Sequence, residues 1–213
     1  MNLDKLLRTL TAIAALAFVA ALFSSYYRSF RQLPSARMET FTPLSESEIR
    51  LNVQVLPAPL AYPQVVIRKS RRRLYLYDGR KLLRVFPVAL GSNPDVDKER
   101  EGDGATPIGS FYICSHNPDS RYYRFLGLSY PNDEDASRGL RDGLITREQA
   151  RDIVAAVQQR ARPDWRTPLG GEVGIHGGGV GRDWTQGCMA VSDEHIKELY
   201  DVVGEGTPVT IEP

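Results

Sequence analysis

His176 and Cys188 stand twelve positions apart in GIHGGGVGRDWTQGCMAV (Gly174–Val191), and five glycines lie between them. A thiol attacks carbonyl carbon only as thiolate, and a free cysteine, with a pKa near 8.5, is only a few per cent ionised at neutral pH. A neighbouring imidazole remedies this by taking the proton and holding the resulting ion pair. Gly187 permits a sharp turn before the nucleophile. In the run Thr185-Gln186-Gly187-Cys188, backbone N–H groups around Gln186, Gly187 and Cys188 can converge where an oxyanion would form. No carboxylate follows His176, so a backbone carbonyl would have to orient the ring. The ordinary alternative is a satisfied structural histidine and a cysteine acting as a small buried hydrophobe.

Other chemistries use the same letters. HGGG (His176–Gly179) matches an oxyanion motif of lipases, but these need a downstream G-x-S-x-G, and the nearest match, GLSYP at Gly127–Pro131, is upstream and lacks the final glycine. Zinc ligands would come from Cys114, His116, His176, Cys188 and His195, none of which shows the close spacing of a zinc pair. His195 is expected to be exposed on its helix. Cys114 and Cys188, the two cysteines of the chain, could also pair in an oxidising compartment. No cofactor and no metal is expected.

His176 follows the apolar VGI and should end a strand, and Cys188 should begin another in CMAV. If the two strands are neighbours, the loop between them folds back and imidazole meets sulfur. Upstream, QVVIR reads as a strand, RRLYLYD alternates and ends at the hairpin signal Asp78-Gly79, and KLLRVFPVAL returns. GSFYICS and TPVTIEP are further strands, separated from the hairpin by polar Gly/Pro-rich loops. Helices are expected over Thr146–Arg162, where Thr146 and Gln149 have capping-box spacing, and from Ser192 or Asp193 to Gly204. Apolar stripes run through Ala150, Ile153, Val154 and Val157 in the first, and Ile196, Leu199, Tyr200 and Val203 in the second. The whole reads as mainly β with a helical insertion at about 133–168, either a lid or surface decoration.

The chain has 213 residues and a net charge of +1, with no basic stripe to engage nucleic acid. Residues 1–37 carry Lys5, Arg8, Arg28, Arg31 and Arg37 against Asp4 alone. They flank the uncharged run Thr9–Tyr27, whose 19 residues would span roughly 28 Å as a helix at ~1.5 Å per residue, close to a bilayer core. The strongly apolar centre, Leu10–Phe23, also suits a cleaved signal peptide; a buried core helix is the remaining alternative. Residues 1–31 are therefore read as a signal anchor, 32–63 as a Pro-rich linker with a short helix in SESEIRLNVQ, and 64–213 as the catalytic domain.

The motif IHG, a variable loop, TQGC, an acid-started helix and GTPVTI together resemble the L,D-transpeptidase catalytic domain of YkuD type. RRRLYLYDGRKLLRVFPVALG resembles its first hairpin, and DGATPIGSFYI its T-P-x-G segment. The resemblance implies a β-sandwich, no cofactor, and a thioester acyl-enzyme formed by Cys188 on peptidoglycan stem peptides. His176 would be base and then acid, with the Gly177 carbonyl orienting it. It implies a place in the bacterial envelope, with the inner membrane as partner of the N-terminal helix and a periplasmic catalytic domain. Where the usual form continues Gly-Cys-Ile/Val-Arg/Asn, this chain has Met189-Ala190, which with SYPNDEDASRG is closer to the YafK-type branch, associated with hydrolytic release of a wall-linked lipoprotein. Arg121, Tyr123 and Arg124, with Tyr130 and Trp184, are candidates for a substrate groove; Tyr122, Tyr123 and Phe125 suit a core equally well. The reading from another class is a non-catalytic wall-binding domain.

Overall fold

In the computed structural model, which describes residues 42–57 and 59–213, the alternation of RRLYLYD becomes strand β2 (Arg73–Asp78). Leu74 and Leu76 are fully buried, while Tyr75 and Tyr77 face outward. Across the Asp78-Gly79 turn it pairs antiparallel with β3 (Lys81–Pro87), and on its other side with β1 (Pro63–Arg68). The closing strand β8 (Pro208–Glu212) lies between β1, to which it is parallel, and β4 (Gly109–Ser120). β5 (Tyr123–Leu128), β6 (Gly174–His176) and β7 (Met189–Ala190) complete the order β3-β2-β1-β8-β4-β5-β6-β7.

The expected sandwich is in fact one curled sheet. β4 is twelve residues long; Gly109–Tyr112 bond β8, while the pairing with β5 starts at Ile113 and shifts register at once, between Ile113 and Ser115. The bulge carries a single hydrogen-bond ladder from one half to the other. The curl is then closed, because Ala89, just past β3, exchanges two 2.8 Å hydrogen bonds with Ala190 of β7. Side chains of both halves enter one core, including Ile67, Leu74 and Ile211 from one and Leu126, Ile175 and Met189 from the other. Burying each such side chain contributes about 1.5–3 kcal/mol.

Part of the Pro-rich stretch is docked on this sheet. Ser45 and Glu48 form a capping box on helix α1 (Glu46–Asn52). The Asn52 side chain then satisfies both backbone groups of Val85, at 2.7 and 2.9 Å, and Arg84 donates to the carbonyls of Leu51 and Gln54. The strap covers the outer face of β3, which explains four consecutive buried residues, Leu83–Phe86, on a strand at the end of the hydrogen-bonded order. The run Thr9–Tyr27 lies outside the described residues; among those, no helix is long and apolar enough to cross a membrane.

The insertion holds two helices where the sequence predicts one. α3 (Arg147–Gln158) has the expected Thr146–Gln149 capping box. α2 (Asp133–Arg141) precedes it, capped by Asn132 and Asp135; its polar sequence hides a narrow buried face of Ala136 and Gly139. The pair builds a separate small core from Ala136, Ile145, Ala150, Ile153 and Leu169. α4 (Asp193–Val202) starts at its Ser192 cap and buries Ile196 and Leu199 in the main core.

Candidate active site

β6 and β7 are parallel neighbours with Ile175 opposite Met189 and His176 opposite Ala190. That register places Cys188 level with Gly174, two residues from His176 along the paired strands, so the two side chains leave the same face. Both line one cavity of about 820 Å³.

The loop between them is tied at several points. Gly178 N–H donates to Asp193 at the start of α4, Gly179 N–H to the Val191 carbonyl, and the Trp184 indole to the Gly179 carbonyl. Asp183 accepts from Leu90 N–H at 2.7 Å and pairs with Arg72 at 2.8 Å. Gly177 has no room for a side chain: a Cβ would meet Asp193 Oδ1 at 2.3 Å and the Tyr122 carbonyl at 2.8 Å. The turn before the sulfur is organised by Thr185, whose hydroxyl accepts from Gly187 N–H at 3.1 Å and donates to the Cys188 carbonyl at 2.7 Å. Gly187 N–H, expected in an oxyanion hole, is therefore already engaged.

His176 is 2% exposed, and its Nδ1 is 2.6 Å from the Gly177 carbonyl. A carbonyl only accepts, so Nδ1 carries the proton and Nε2 has a free lone pair. Tyr122 stacks on the ring at 4.6 Å and Trp184 meets it edge-on at 5.7 Å. Burial pushes the imidazole below its ordinary pKa, partly countered by the Gly177 carbonyl. Burial likewise pushes the Cys188 thiol up to about 11, against the Gly174 N–H and the Lys98 ammonium, which draw it down, while Glu172 raises it. The resting pair is thus neutral thiol and neutral imidazole, where the sequence suggests an ion pair. The thiol donates to the Glu172 carbonyl at 3.4 Å, and no hydrogen bond among the described residues joins it to His176. Glu172 holds that carbonyl in place from a left-handed φ of +53°.

Of the residues expected at the site, Cys188, His176, Thr185, Gln186, Trp184 and Arg121 all line the cavity. Tyr123, Arg124 and Tyr130 do not. Arg124 is spent on Asp201 at 2.9 Å, Tyr123 is an exposed hairpin residue with φ +74°, and Tyr130 is fully buried with its hydroxyl on the Leu169 carbonyl. Sequence reasoning missed Lys98, Arg162, Trp165 and Glu172, which also line it. The last three come from the arm returning from the insertion, so the insertion supplies one wall of the cavity.

Cys114 and Cys188 are both free. The His116 ring packs at a tilt against Tyr200, with centroids 4.7 Å apart. His195, expected to be exposed, is half-buried against Phe86 with ring centroids 4.2 Å apart, because the α4 face it occupies packs over β3.

Over 91 residues the sequence is 32% identical to the Escherichia coli (strain K12) protein YafK, which carries the L,D-transpeptidase name; the match spans 40% of this chain and 36% of YafK. Among solved structures, the helical cell shape determining protein Pgp2 of Campylobacter jejuni aligns with a TM-score of 0.46 at 23% identity, over 71% of this chain and 47% of Pgp2. An L,D-transpeptidase of Xylanimonas cellulosilytica aligns with a TM-score of 0.43 at 14% identity, over 80% of this chain and 70% of the other. Residues 63–211 match the family YkuD, the L,D-transpeptidase catalytic domain, and the chain belongs to that family.

Proposed function

We propose that the chain is a cysteine acyltransferase of peptidoglycan stem peptides, working through a thioester on Cys188. The observation that carries this reading is the fixed tautomer of His176. With Nδ1–H held by the Gly177 carbonyl at 2.6 Å, the unprotonated Nε2 is left for the cavity that Cys188 shares. Rotation of the thiol away from the Glu172 carbonyl brings Sγ toward that nitrogen. The S–H proton passes to Nε2 as sulfur adds to the carbonyl carbon of the third stem residue. The N–H groups of Gln186 and Cys188, unused in hydrogen bonds among the described residues, face the oxyanion. Collapse breaks the C–N bond; the imidazolium protonates the departing D-alanine nitrogen, and a thioester remains. An amine of a second stem, or of a lipoprotein, then adds with His176 again as base, and the thiolate leaves. With water as acceptor the same steps give hydrolysis, the second reading, suggested by the likeness of the Cys188-Met189-Ala190 continuation to the YafK-type branch.

Residues 1–31 are proposed to anchor this domain on the outer side of the inner membrane, where the substrate lies, with 32–63 as the connecting stretch. The experiment is intact-protein mass spectrometry after incubation with a carbapenem, whose strained carbonyl acylates a competent thiol. A stable adduct, absent in Cys188→Ser, is expected; a folded protein with a reduced, unlabelled thiol points to the wall-binding alternative. Digestion of sacculi then separates the acceptors, because dimers linked between third residues mean transfer, whereas freed tripeptides or released lipoprotein mean hydrolysis.

A further inference from the structure

Lys98 sits in the wall behind the nucleophile. Its side chain is 3% exposed, and an ammonium so buried is costly unless compensated. Nζ donates to Asp103 Oδ1 at 2.9 Å and to the Arg100 carbonyl at 3.0 Å. An ammonium has three N–H donors, so these contacts engage two of them. The Tyr130 ring is 5.9 Å away, at the outer limit of a cation–π contact. The side chain lines the cavity that Cys188 lines, and Cδ stands 3.8 Å from where a Cβ on Gly187 would be. The lysine stem therefore runs past the residue immediately before the sulfur.

The loop around it is built to hold this position. Asp103 accepts from Glu99 N–H at 2.8 Å and Arg100 N–H at 2.9 Å through one oxygen, and from Ala105 N–H at 3.0 Å through the other. From α2, Arg138 donates to the Lys98 carbonyl at 2.7 Å and pairs with Asp97 and Asp135. The charged groups that line the cavity with Lys98 are Glu101 from the same loop, Asp119 and Arg121 from the end of β4 and the turn after it, and Arg162 and Glu172 from the arm returning from the insertion, while Asp103 pairs with Lys98 and Arg138 holds its carbonyl.

We propose that Lys98 is a positioning residue for Cys188: its fixed ammonium is the charge against which the thiolate forms when the thiol proton moves to His176. The S–H bond breaks and the Nε2–H bond forms, and no proton is exchanged with Lys98. Glu172, on the open side of the cavity, opposes this effect. Among the charged groups, Lys98 draws the thiol pKa down more than Glu172 raises it, although burial outweighs both. The inference rests on Cys188 being the nucleophile of the proposed reaction.

The test needs no peptidoglycan. In a Cys114→Ser background, the rate of Cys188 alkylation by iodoacetamide at pH 8 is followed by intact mass, with circular dichroism as the check on folding. Lys98→Met is expected to slow it severalfold, because less of the thiol is then present as thiolate. Lys98→Gln, which keeps an N–H for the Arg100 carbonyl, should do the same, and Glu172→Gln should speed it severalfold. A folded Lys98 variant alkylated within twofold of the parent rate overturns the proposal. The unsubstituted lysine gives a second readout. The ratio of iodoacetate to iodoacetamide rates at Cys188 should exceed that of 2-mercaptoethanol, because a positive charge at the sulfur favours the anionic reagent; an equal or smaller ratio also overturns it. Loss of these effects with carbapenem labelling intact defeats only the role of Lys98, whereas their presence without action on sacculi defeats only the proposed substrate.

Discussion

Gly187 and Ala105 approach so closely that any Cβ at position 187 would stand 2.7 Å from the Ala105 carbonyl oxygen. The contact joins the loop after β3 to the turn that presents Cys188. The obstructing atom is backbone, in a residue whose own N–H is held by Asp103, so it does not step aside as a flexible side chain would. Gly187 also has φ +131°, a conformation that side-chain-bearing residues rarely adopt. Gly187→Ala is therefore expected to destabilise the domain by about 2 kcal/mol or more, combining backbone strain with the steric shift. Thermal unfolding measures the first effect. Carbapenem labelling of the surviving fold measures the second, and it should fall even where the protein remains folded.

Thr185 makes the same turn from within. Its hydroxyl accepts from Gly187 N–H and donates to the Cys188 carbonyl, so a single oxygen fixes the peptide groups on either side of the nucleophile's nitrogen. Thr185→Val keeps the shape and leaves a buried donor and acceptor without partners, at about 1–3 kcal/mol. Thr185→Ser keeps both bonds and should unfold within a few degrees of the parent. The acylation rate should follow the same order, with valine well below serine. Equal melting temperatures and equal rates for the two would show that the hydroxyl does not organise the turn.

What could be read from the chain was local. Asp78-Gly79 closes a hairpin because the turn chemistry lies within four residues, and Thr146 with Gln149 starts a helix for the same reason. The adjacency of the strands that carry His176 and follow Cys188 was legible because two short apolar runs flank one glycine-rich loop, a pattern that suits a strand pair. The placement of β8 between β1 and β4 was not legible: the contact of Val65 with Val209 spans the chain, and no local pattern selects it. Lys98 and Glu172 escaped for a related reason. Each lies in an irregular segment, where side-chain direction follows from loop hydrogen bonds such as those of Asp103 and has no period. Arg124 and Tyr130 looked like groove residues by type, and their partners, Asp201 and Leu169, appear only in the folded chain.

Cys114 is a thiol of another kind. It stands on β4 at the register shift, does not line the cavity, and burial pushes its pKa up to about 12. Cys114→Ser should leave acylation of Cys188 within twofold of the parent, with a small loss of stability from placing a hydroxyl where a thiol packed. Peptide mapping after carbapenem treatment should show the adduct on Cys188 alone. A strong loss of activity in Cys114→Ser would reopen a pairing of the two cysteines during the reaction.

The histidines set the acid limit of both activity and stability. Burial lowers the pKa of His176, and it does the same to His116 and His195. For His176 the base is the neutral ring, so kcat/KM should hold through pH 7 and fall on an acid limb whose midpoint lies below the ordinary imidazole value of about 6.5. The stability sign follows from proton binding. Between the folded-state pKa values and about 6.5 the unfolded chain binds more protons than the folded one, so stability rises with pH across that window and is lost on acidification through it. Asp135 acts in the opposite sense. Burial raises its carboxyl to about 6, so between its ordinary value and 6 the folded chain binds the extra proton and gains stability on acidification. Three histidines outnumber this one carboxyl, and the melting temperature at pH 5.5 should be lower than at pH 7.5. His116→Phe, away from the cavity and with the partnerless Nε2 removed, should reduce that difference while leaving the acid limb of kcat/KM in place. A limb that moves with His116, or that sits above 6.5, would mean that the titrating base is not the buried His176.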